Sequence, residues 1–157
     1  MNERDIEQAV KLVLGQCNDH MTLKVANALI ERVKEKAVQM GIQVVIAVAD
    51  RAGHIVAVQV MDDAFIASID VAINKAFTSV SLKMSTDQLS HVSQPGQPLY
   101  GIQYTNQGKI VIFGGGEPLK VNGTIIGALG VSGGTAPEDT ALAAFGKDIF
   151  EEVIKCQ

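Results

Sequence analysis

The first residues that could take part in chemistry are polar side chains in the segment from residue 68 to residue 81. Asn74, Thr78 and Ser81 are three or four residues apart, so a helix would bring them onto one stripe of its surface. Such a stripe can hydrogen-bond a ligand, and it can equally be a face that is in contact with water. Both possibilities stay open at this point.

Lys75 is the cation of this segment, because no other Lys or Arg occurs between Arg51 and Lys83. Its ammonium group could bind the carboxylate of a ligand. It could instead pair with an aspartate of the same region, Asp62 or Asp70.

Glycine is concentrated in the second half of the chain. Ten of the 15 glycines fall between Gly101 and Gly134, in a region whose pattern is mostly that of strands. Glycine weakens the interior of a strand and often marks a bulge or the close approach of a ligand. The region could therefore hold bulges alone, or a pocket of bare backbone amides that binds a carboxylate. We expect an ordinary φ and an adjacent ligand at Gly115, and a positive φ at Gly133.

The sequence does not contain the usual patterns of a metal site, a serine nucleophile, a nucleotide-binding loop or a disulfide. His20, His54 and His91 do not share the spacing of metal ligands, so no metal site is expected. The G-x-S-x-G and Walker A patterns are absent, and no catalytic residue can be assigned. Cys17 and Cys156 lie far apart in the chain, and we predict reduced thiols rather than a disulfide.

Length, charge and composition restrict the class of protein. The 157 residues suit one domain, residues 1–157, and the net charge of −4 argues against binding to nucleic acid. The first ten residues carry four charges, unlike a secretory signal, and no apolar run approaches the roughly 20 residues that cross a membrane. We therefore predict a cytoplasmic protein. Only 19% of residues are charged, which favours a homo-oligomer whose subunits cover part of the surface.

The hydrophobic pattern predicts the elements that must position these residues. Helices are expected up to Gly15, from Thr22 to Gly41, and then over 65–80, over 85–92 and from Thr135 onward. Strands are expected over 43–50, 54–61, 109–113, 117–121 and 124–132. Because Asn122-Gly123 is typical of a type I′ hairpin, and residues 51–53 form another tight turn, the sheet should be largely antiparallel. The order of elements predicts an α+β fold, an α/β/α sandwich.

Four segments also occur in an order known from one protein family. They are residues 44–53 (VVIAVADRAG), 68–79 (SIDVAINKAFTS), 114–118 (GGGEP), and 126–134 (IGALGVSGG) followed by Asp139. In these segments the chain resembles the haem-degrading-domain family, also called GlcG/HbpS-like, over about residues 21–152. Each motif is weak alone, but four in the same order are specific.

The resemblance implies a profilin-like α/β/α sandwich with a central five-stranded antiparallel sheet, assembly into homo-oligomers, and haem as a ligand of several members. A related domain is attached to PduO-type cobalamin adenosyltransferases, so a corrinoid is a second ligand to consider. The family motifs place the binding pocket on nine residues of this chain: Lys75, Thr78, Gly114, Gly115, Gly116, Pro118, Gly130, Ser132 and Gly133. A threonine hydroxyl is a poor ligand for haem iron, so binding through Thr78 would be weak.

The leading hypothesis is therefore a cytoplasmic, oligomeric protein that binds haem or another tetrapyrrole and is accessory to a catabolic pathway of the diol/glycerol or glycolate type. One alternative is an enzyme acting on a small carboxylate or carbonyl metabolite, with Lys75 and the glycine amides clamping the anion. Another is an oligomeric accessory protein with no ligand. Whether the protein is an enzyme stays open.

Overall fold

The centre of the protein is a four-stranded antiparallel sheet. A computed structural model describes residues 2–15 and 20–156. The strands are β1 (Val45–Asp50), β2 (Ile55–Val60), β3 (Gly116–Val121) and β4 (Thr124–Ser132), in the order β2-β1-β4-β3. Every neighbouring pair is antiparallel, which confirms the α+β class and the antiparallel sheet.

Helices cover both faces of the sheet. The α-helices of the described residues are α1 (Glu3–Gly15), α2 (Leu23–Met40), α3 (Ala67–Leu82), α4 (Thr86–Val92) and α5 (Ala136–Lys155). Helices α2 and α5 pack on one face, and α3 packs on the other, with α4 beside it. The side chains of β1 alternate between the two layers. Ile46 and Val48 enter the core under α2 and α5, whereas Val45 and Ala47 contact the α3 side.

The ends of the helices follow the capping residues predicted from the sequence. The Thr22 hydroxyl accepts a hydrogen bond from the Val25 amide at 3.2 Å, and α2 stops at Gly41, whose φ is +72°. Thr135 and Glu138 form a reciprocal capping box at the start of α5. Such caps satisfy amides that have no partner inside the helix.

The prediction of a fifth strand over residues 109–113 is wrong, since this segment is irregular and the described sheet has four strands. The side chain of Thr78 on α3 replaces a neighbouring strand there. Its Oγ1 accepts a hydrogen bond from the Val111 amide at 3.0 Å and lies 3.3 Å from the Lys109 carbonyl oxygen. The segment is therefore held against a helix instead of adding to the sheet.

Of the two cysteines, Cys156 is an exposed free thiol. Cys17 lies outside the described residues, so the prediction of reduced cysteines is not tested at that position. No helix in residues 2–15 and 20–156 is long and apolar enough to cross a membrane.

Candidate functional site

A buried ion pair forms the middle of the region that the sequence singles out. Lys75 has no exposed surface, although lysine is rarely buried completely. Its Nζ donates hydrogen bonds to Asp139 Oδ2 at 2.8 Å and to the Val131 carbonyl oxygen at 2.8 Å. The Phe113 ring centre lies 5.0 Å from the same nitrogen, within the range of a cation–π contact. The ammonium group is thus fully occupied by groups of its own chain.

The partner of Lys75 differs from the predicted ones. Asp70 accepts a hydrogen bond from Asn74 Nδ2 at 3.1 Å instead, and Asp62 is exposed. Pairing with Asp62 or Asp70 is therefore wrong. Asp139 is 64 positions away in the chain, and only the packing of α3 and α5 on opposite faces of the same strands brings the first turn of α5 to Lys75.

Asp139 lies in the first turn of α5, where the helix dipole favours a negative charge. Its Oδ1 accepts a hydrogen bond from the Gly134 amide at 2.9 Å. Burial raises the pKa of the Asp139 carboxyl, against the pull of Lys75 and of the amides of Gly133 and Gly134. Burial likewise lowers the pKa of the Lys75 amine, against the attraction of Asp139. The Lys75 ammonium group and the Asp139 carboxylate therefore compensate each other's burial.

Two glycines bring the backbone close to this pair. The φ of Gly115 is +118°, and a Cβ at this position would lie 2.6 Å from Lys75 Nζ and 2.6 Å from the Val131 carbonyl oxygen. The expectation of an ordinary φ at Gly115 is therefore wrong, and the close approach there is made by the protein itself. The positive φ expected at Gly133 is confirmed at +149°, and a Cβ there would collide with the Gln43 carbonyl oxygen.

The other glycines of the predicted pocket let helices lie directly on the strands. A Cβ at Gly116 would lie 2.6 Å from Ser79 Oγ, and one at Gly130 would lie 2.7 Å from the Ala76 nitrogen, both on α3. A Cβ at Gly114 would collide with a side chain of α5. Gly116 and Gly130 let α3 lie close to β3 and β4, and Gly114 lets α5 approach the segment before β3. This close packing buries Lys75.

The polar residues of the predicted pocket have partners within the chain. The Thr78 hydroxyl donates to the Asn74 carbonyl oxygen at 2.7 Å, in addition to its contacts with residues 109 and 111. Ser132 Oγ bonds Ser68 Oγ at 3.1 Å. Pro118 is separate from this cluster and lines a groove beside α5. That the nine residues bind a ligand stays a prediction.

A haem does not fit among these interior residues. A methyl group placed on Gly115 already meets Lys75 and Val131 at 2.6 Å, closer than packed atoms approach. The Thr78 hydroxyl, the predicted contact of the iron, is used by backbone groups and is completely buried. The interior cluster holds the fold together in this structure.

The sequence pattern contained one further acidic residue that we did not select. Glu117 precedes Leu119 by two positions on β3, so both side chains point to the same face of the sheet. Leu119 is part of the core on that face, and Glu117 is only 8% exposed. Lys147 Nζ lies 3.4 Å from Glu117 Oε2. Burial raises the pKa of the Glu117 carboxyl, partly offset by Lys147.

Metal ligands do not cluster in the part of the chain that the structure describes. Within it, no group of three or more His, Cys, Asp and Glu side chains is arranged to hold a metal ion. Haem iron needs a single strong axial ligand, so this finding concerns metal ions bound by side chains alone.

Comparison with known proteins identifies the family. The model of the family described as "Haem degrading protein HbpS-like" matches residues 21–147. The chain belongs to this family. The resemblance seen in the four sequence motifs is therefore confirmed.

HbpS-like sequences occur both as separate proteins and as part of a longer enzyme, as two relatives illustrate. A Citrobacter freundii protein, described as an uncharacterized 15.0 kDa protein in the dhaT–dhaS intergenic region, is 45% identical over 133 residues, which are 85% of this chain and 94% of the relative. The corrinoid adenosyltransferase PduO of Salmonella typhimurium is 42% identical over 109 residues, 69% of this chain but 32% of PduO. The HbpS-like chain thus matches about a third of that enzyme.

A solved structure of a relative contains haem. It is the PduOC–haem complex, which is 36% identical to this HbpS-like chain with a TM-score of 0.79, and the match covers 82% of this chain and 94% of PduOC. A relative with the same fold therefore binds haem.

Proposed function

We propose that this HbpS-like chain is a binding domain for haem or a related tetrapyrrole. The supporting observation is the haem complex of PduOC, which matches this chain over 82% of its length at 36% identity. The buried Lys75–Asp139 pair supports a binding domain rather than the alternative enzyme, because an ammonium group with no exposed surface cannot clamp the anion of a free metabolite.

The proposed tetrapyrrole lies on the outside of the domain. Haem iron is held by His, Cys, Met or Tyr side chains, and the interior cluster supplies none of these. His20, His54 and His91 are all exposed. The side chains of His54 and His91 are 80% and 77% accessible, so their imidazoles can approach a flat ligand from solvent.

A haem titration tests this proposal and its location. We expect a saturable change of the Soret band at one haem per chain, and loss of the band in one of the variants His20→Ala, His54→Ala and His91→Ala. Thr78→Val is the interior variant, and because it leaves the Val111 amide without its hydrogen-bond partner, circular dichroism first checks that it folds. The titration of the folded variant should resemble that of the unchanged protein.

Two outcomes would contradict the proposal. If Thr78→Val stays folded but loses the Soret band, the interior cluster opens to bind haem and the surface location is wrong. If the unchanged protein shows no spectral change, haem is not the ligand. The same titration with cobalamin then tests the corrinoid, and no change with either ligand supports the accessory protein without a tetrapyrrole.

We also propose that the chain assembles with copies of itself through the edge of the sheet at β2. The two edges differ in their chemistry. The other edge strand, β3, carries Glu117, Pro118 and Lys120, and such residues discourage pairing with a further strand. β2 has no charge and no proline, and its one bulge, at Val56, leaves 57–60 regular. An identical strand of a second copy can cover this edge around a two-fold axis.

Exposed apolar side chains extend this surface beyond the strand. Val60 on β2 is 50% exposed and shares a groove with Val38 at the end of α2, which is 64% exposed. Phe65 and Ile66, directly before α3, are 70% and 88% exposed. The groove also carries Lys34, Glu35, Asp62 and Asp63 at its walls. Exposed apolar side chains with a polar surround are typical of a protein–protein interface.

Sedimentation tests the assembly. We expect a mass that is a multiple of 16.7 kDa at micromolar concentration, and a shift toward the monomer in Val60→Lys, which places a charge on the interface. Tyr104→Lys, in an 84% exposed position outside the β2 edge, is the control and should leave the mass unchanged. A monomeric unchanged protein would contradict the proposal.

A role beside a catabolic pathway of the diol/glycerol type is part of the same proposal. It is supported by the Citrobacter freundii relative, whose description places it between dhaT and dhaS. A cytoplasmic location stays a prediction from the composition of the chain.

A further inference from the structure

Helix α1 (Glu3–Gly15) precedes the part of the chain that the HbpS-like family model matches, which begins at residue 21. Among the described residues, the buried core likewise begins at Met21. The side chains of residues 2–9 are all exposed, and even the apolar Ile6 is 47% exposed. The sheet, the Lys75 cluster and the surface proposed for self-assembly are built from later residues, so none of them explains why the chain carries this helix.

The start of α1 is fixed by residues of the helix itself. The Asp5 amide donates a hydrogen bond to Asn2 Oδ1 at 2.9 Å, and the Asn2 amide donates one to Asp5 Oδ2 at 3.1 Å. This reciprocal pair is equivalent to a capping box, and it uses no group of the domain. The negative side chains of Glu3 and Asp5 in the first turn also suit the helix dipole. The local sequence therefore specifies a helix here without help from the domain.

The spacing of residues in α1 gives the helix one apolar stripe. Positions 6, 9, 10, 13 and 14 hold Ile, Ala, Val, Val and Leu, the pattern of a helix that packs against a surface. This stripe is wider than the seam of a coiled coil, which uses two positions per heptad. Because a helix of 13 residues is only marginally stable in water by itself, burial of the stripe against another surface stabilises it.

The charged residues of α1 are sorted around this apolar stripe. With 3.6 residues per turn, Glu3 and Glu7 border the stripe on one side, and Asp5 borders it on the other. Arg4 and Lys11, seven positions apart, occupy the face of the helix opposite the stripe. The surface that α1 offers to a partner therefore has an apolar centre and acidic residues on both borders, and its two cations lie on the far side.

This distribution of charge favours one kind of partner over two others. Helices that lie on membranes carry Lys and Arg and are attracted to anionic lipids, whereas the acidic borders of α1 would be repelled by them. Pairing of two copies of α1 would bring acidic borders together, and like charges at such positions are destabilising. A groove on another protein, apolar at its floor and with Lys or Arg along both rims, matches the stripe and its borders at once.

We propose that α1 docks as a helix into an apolar groove with basic rims on a different protein, and so attaches the HbpS-like domain to that protein. Ile6 and the later residues of the stripe enter the groove, and Glu3, Asp5 and Glu7 lie against the cations of its rims. This interaction is independent of the proposed tetrapyrrole site and of self-assembly through β2.

Photo-crosslinking in the cells from which the chain comes identifies the partner. The photoreactive residue p-benzoylphenylalanine replaces Ile6 or Val13, both on the stripe, in the full chain. As a control it replaces Arg4 or Lys11 on the opposite face. We expect crosslinks to one other protein from the stripe positions and far less product from the control positions. The crosslinked peptide of that protein, identified by mass spectrometry, should contain apolar residues together with Lys or Arg.

Calorimetric titration of the purified pair tests the charge pattern. Glu3→Lys/Glu7→Lys reverses one acidic border and should weaken binding at least about tenfold, and added salt should weaken binding of the unchanged chain. Arg4→Glu/Lys11→Glu reverses two charges on the opposite face. It is the matched control and should change the dissociation constant by less than about threefold. Ile6→Gln removes an apolar anchor and should weaken binding about tenfold or more.

These variants change positions that precede the family domain, so its thermal unfolding, followed by circular dichroism, and its haem titration should match those of the unchanged protein. Crosslinks from positions 6 and 13 to a second copy of the chain or to lipid, or no crosslinks at all, would overturn the proposal. A partner surface without Lys or Arg would overturn it too, as would equal weakening by the two double charge reversals.

Discussion

Replacing Lys75 with methionine should lower the free energy of unfolding by about 3–5 kcal/mol. The substitution leaves the carboxylate of Asp139, a residue that is 3% exposed, without the ammonium group that lies 2.8 Å from it. It also removes the donor to the Val131 carbonyl oxygen. Urea denaturation followed by circular dichroism measures the loss, since the chain has no tryptophan for fluorescence.

The double variant Lys75→Met/Asp139→Leu is the control for this prediction. Removing both charges leaves no uncompensated buried ion, and apolar replacements of buried ion pairs are often neutral or stabilising. We therefore expect the double variant to recover most of the stability that either single variant loses. A loss below about 1 kcal/mol in Lys75→Met would be typical of an exposed pair and would contradict the buried geometry.

Replacing Gly115 with alanine should destabilise the protein by at least about 3 kcal/mol. Two effects add at this position. The φ of +118° is strained for any residue with a Cβ, and the new methyl group would lie 2.6 Å from Lys75 Nζ and 2.6 Å from the Val131 carbonyl oxygen. The backbone cannot move away without disturbing the Lys75–Asp139 pair. Urea denaturation again gives the free energy of unfolding.

Gly108→Ala separates the two effects. Gly108 also has a positive φ, +76°, but a Cβ there would meet nothing within 4 Å. Its replacement should cost only the conformational term of about 1–2 kcal/mol. If Gly115→Ala costs no more than Gly108→Ala, the crowding around Lys75 is not what requires glycine at position 115.

Lys75 and Gly115 both lie in the part of the protein that the family motifs assign to a ligand. The motif residues do come together in the structure, yet their side chains and bare backbones mainly satisfy one another. Lys75 is a residue that holds α3, β4 and α5 in place. A motif can thus be specific for a family because it specifies packing, and the ligand can bind elsewhere on the same fold.

Elements whose chemistry is local can be predicted from the amino-acid sequence. Helix α2 begins after Thr22 and ends at Gly41 because a side-chain cap and a left-handed glycine act on their immediate neighbours. The hairpin between β3 and β4 turns at Asn122 and Gly123, which have φ of +48° and +78°, as the type I′ pattern predicts. In each case the deciding contacts lie within a few residues.

Features that depend on residues far apart in the chain become visible only when the helices and strands are packed together. Residues 109–113 have the composition of a strand, but the Thr78 hydroxyl binds their backbone, and no local pattern records that contact. The partner of Lys75 is 64 positions away, and several aspartates were equally available in the sequence. Gly115 has a positive φ and lies where a Cβ would meet Lys75, Val131 and Asp139, and these three residues come from other elements of the fold. Burial and close approach arise when layers pack, so a single sequence cannot assign them.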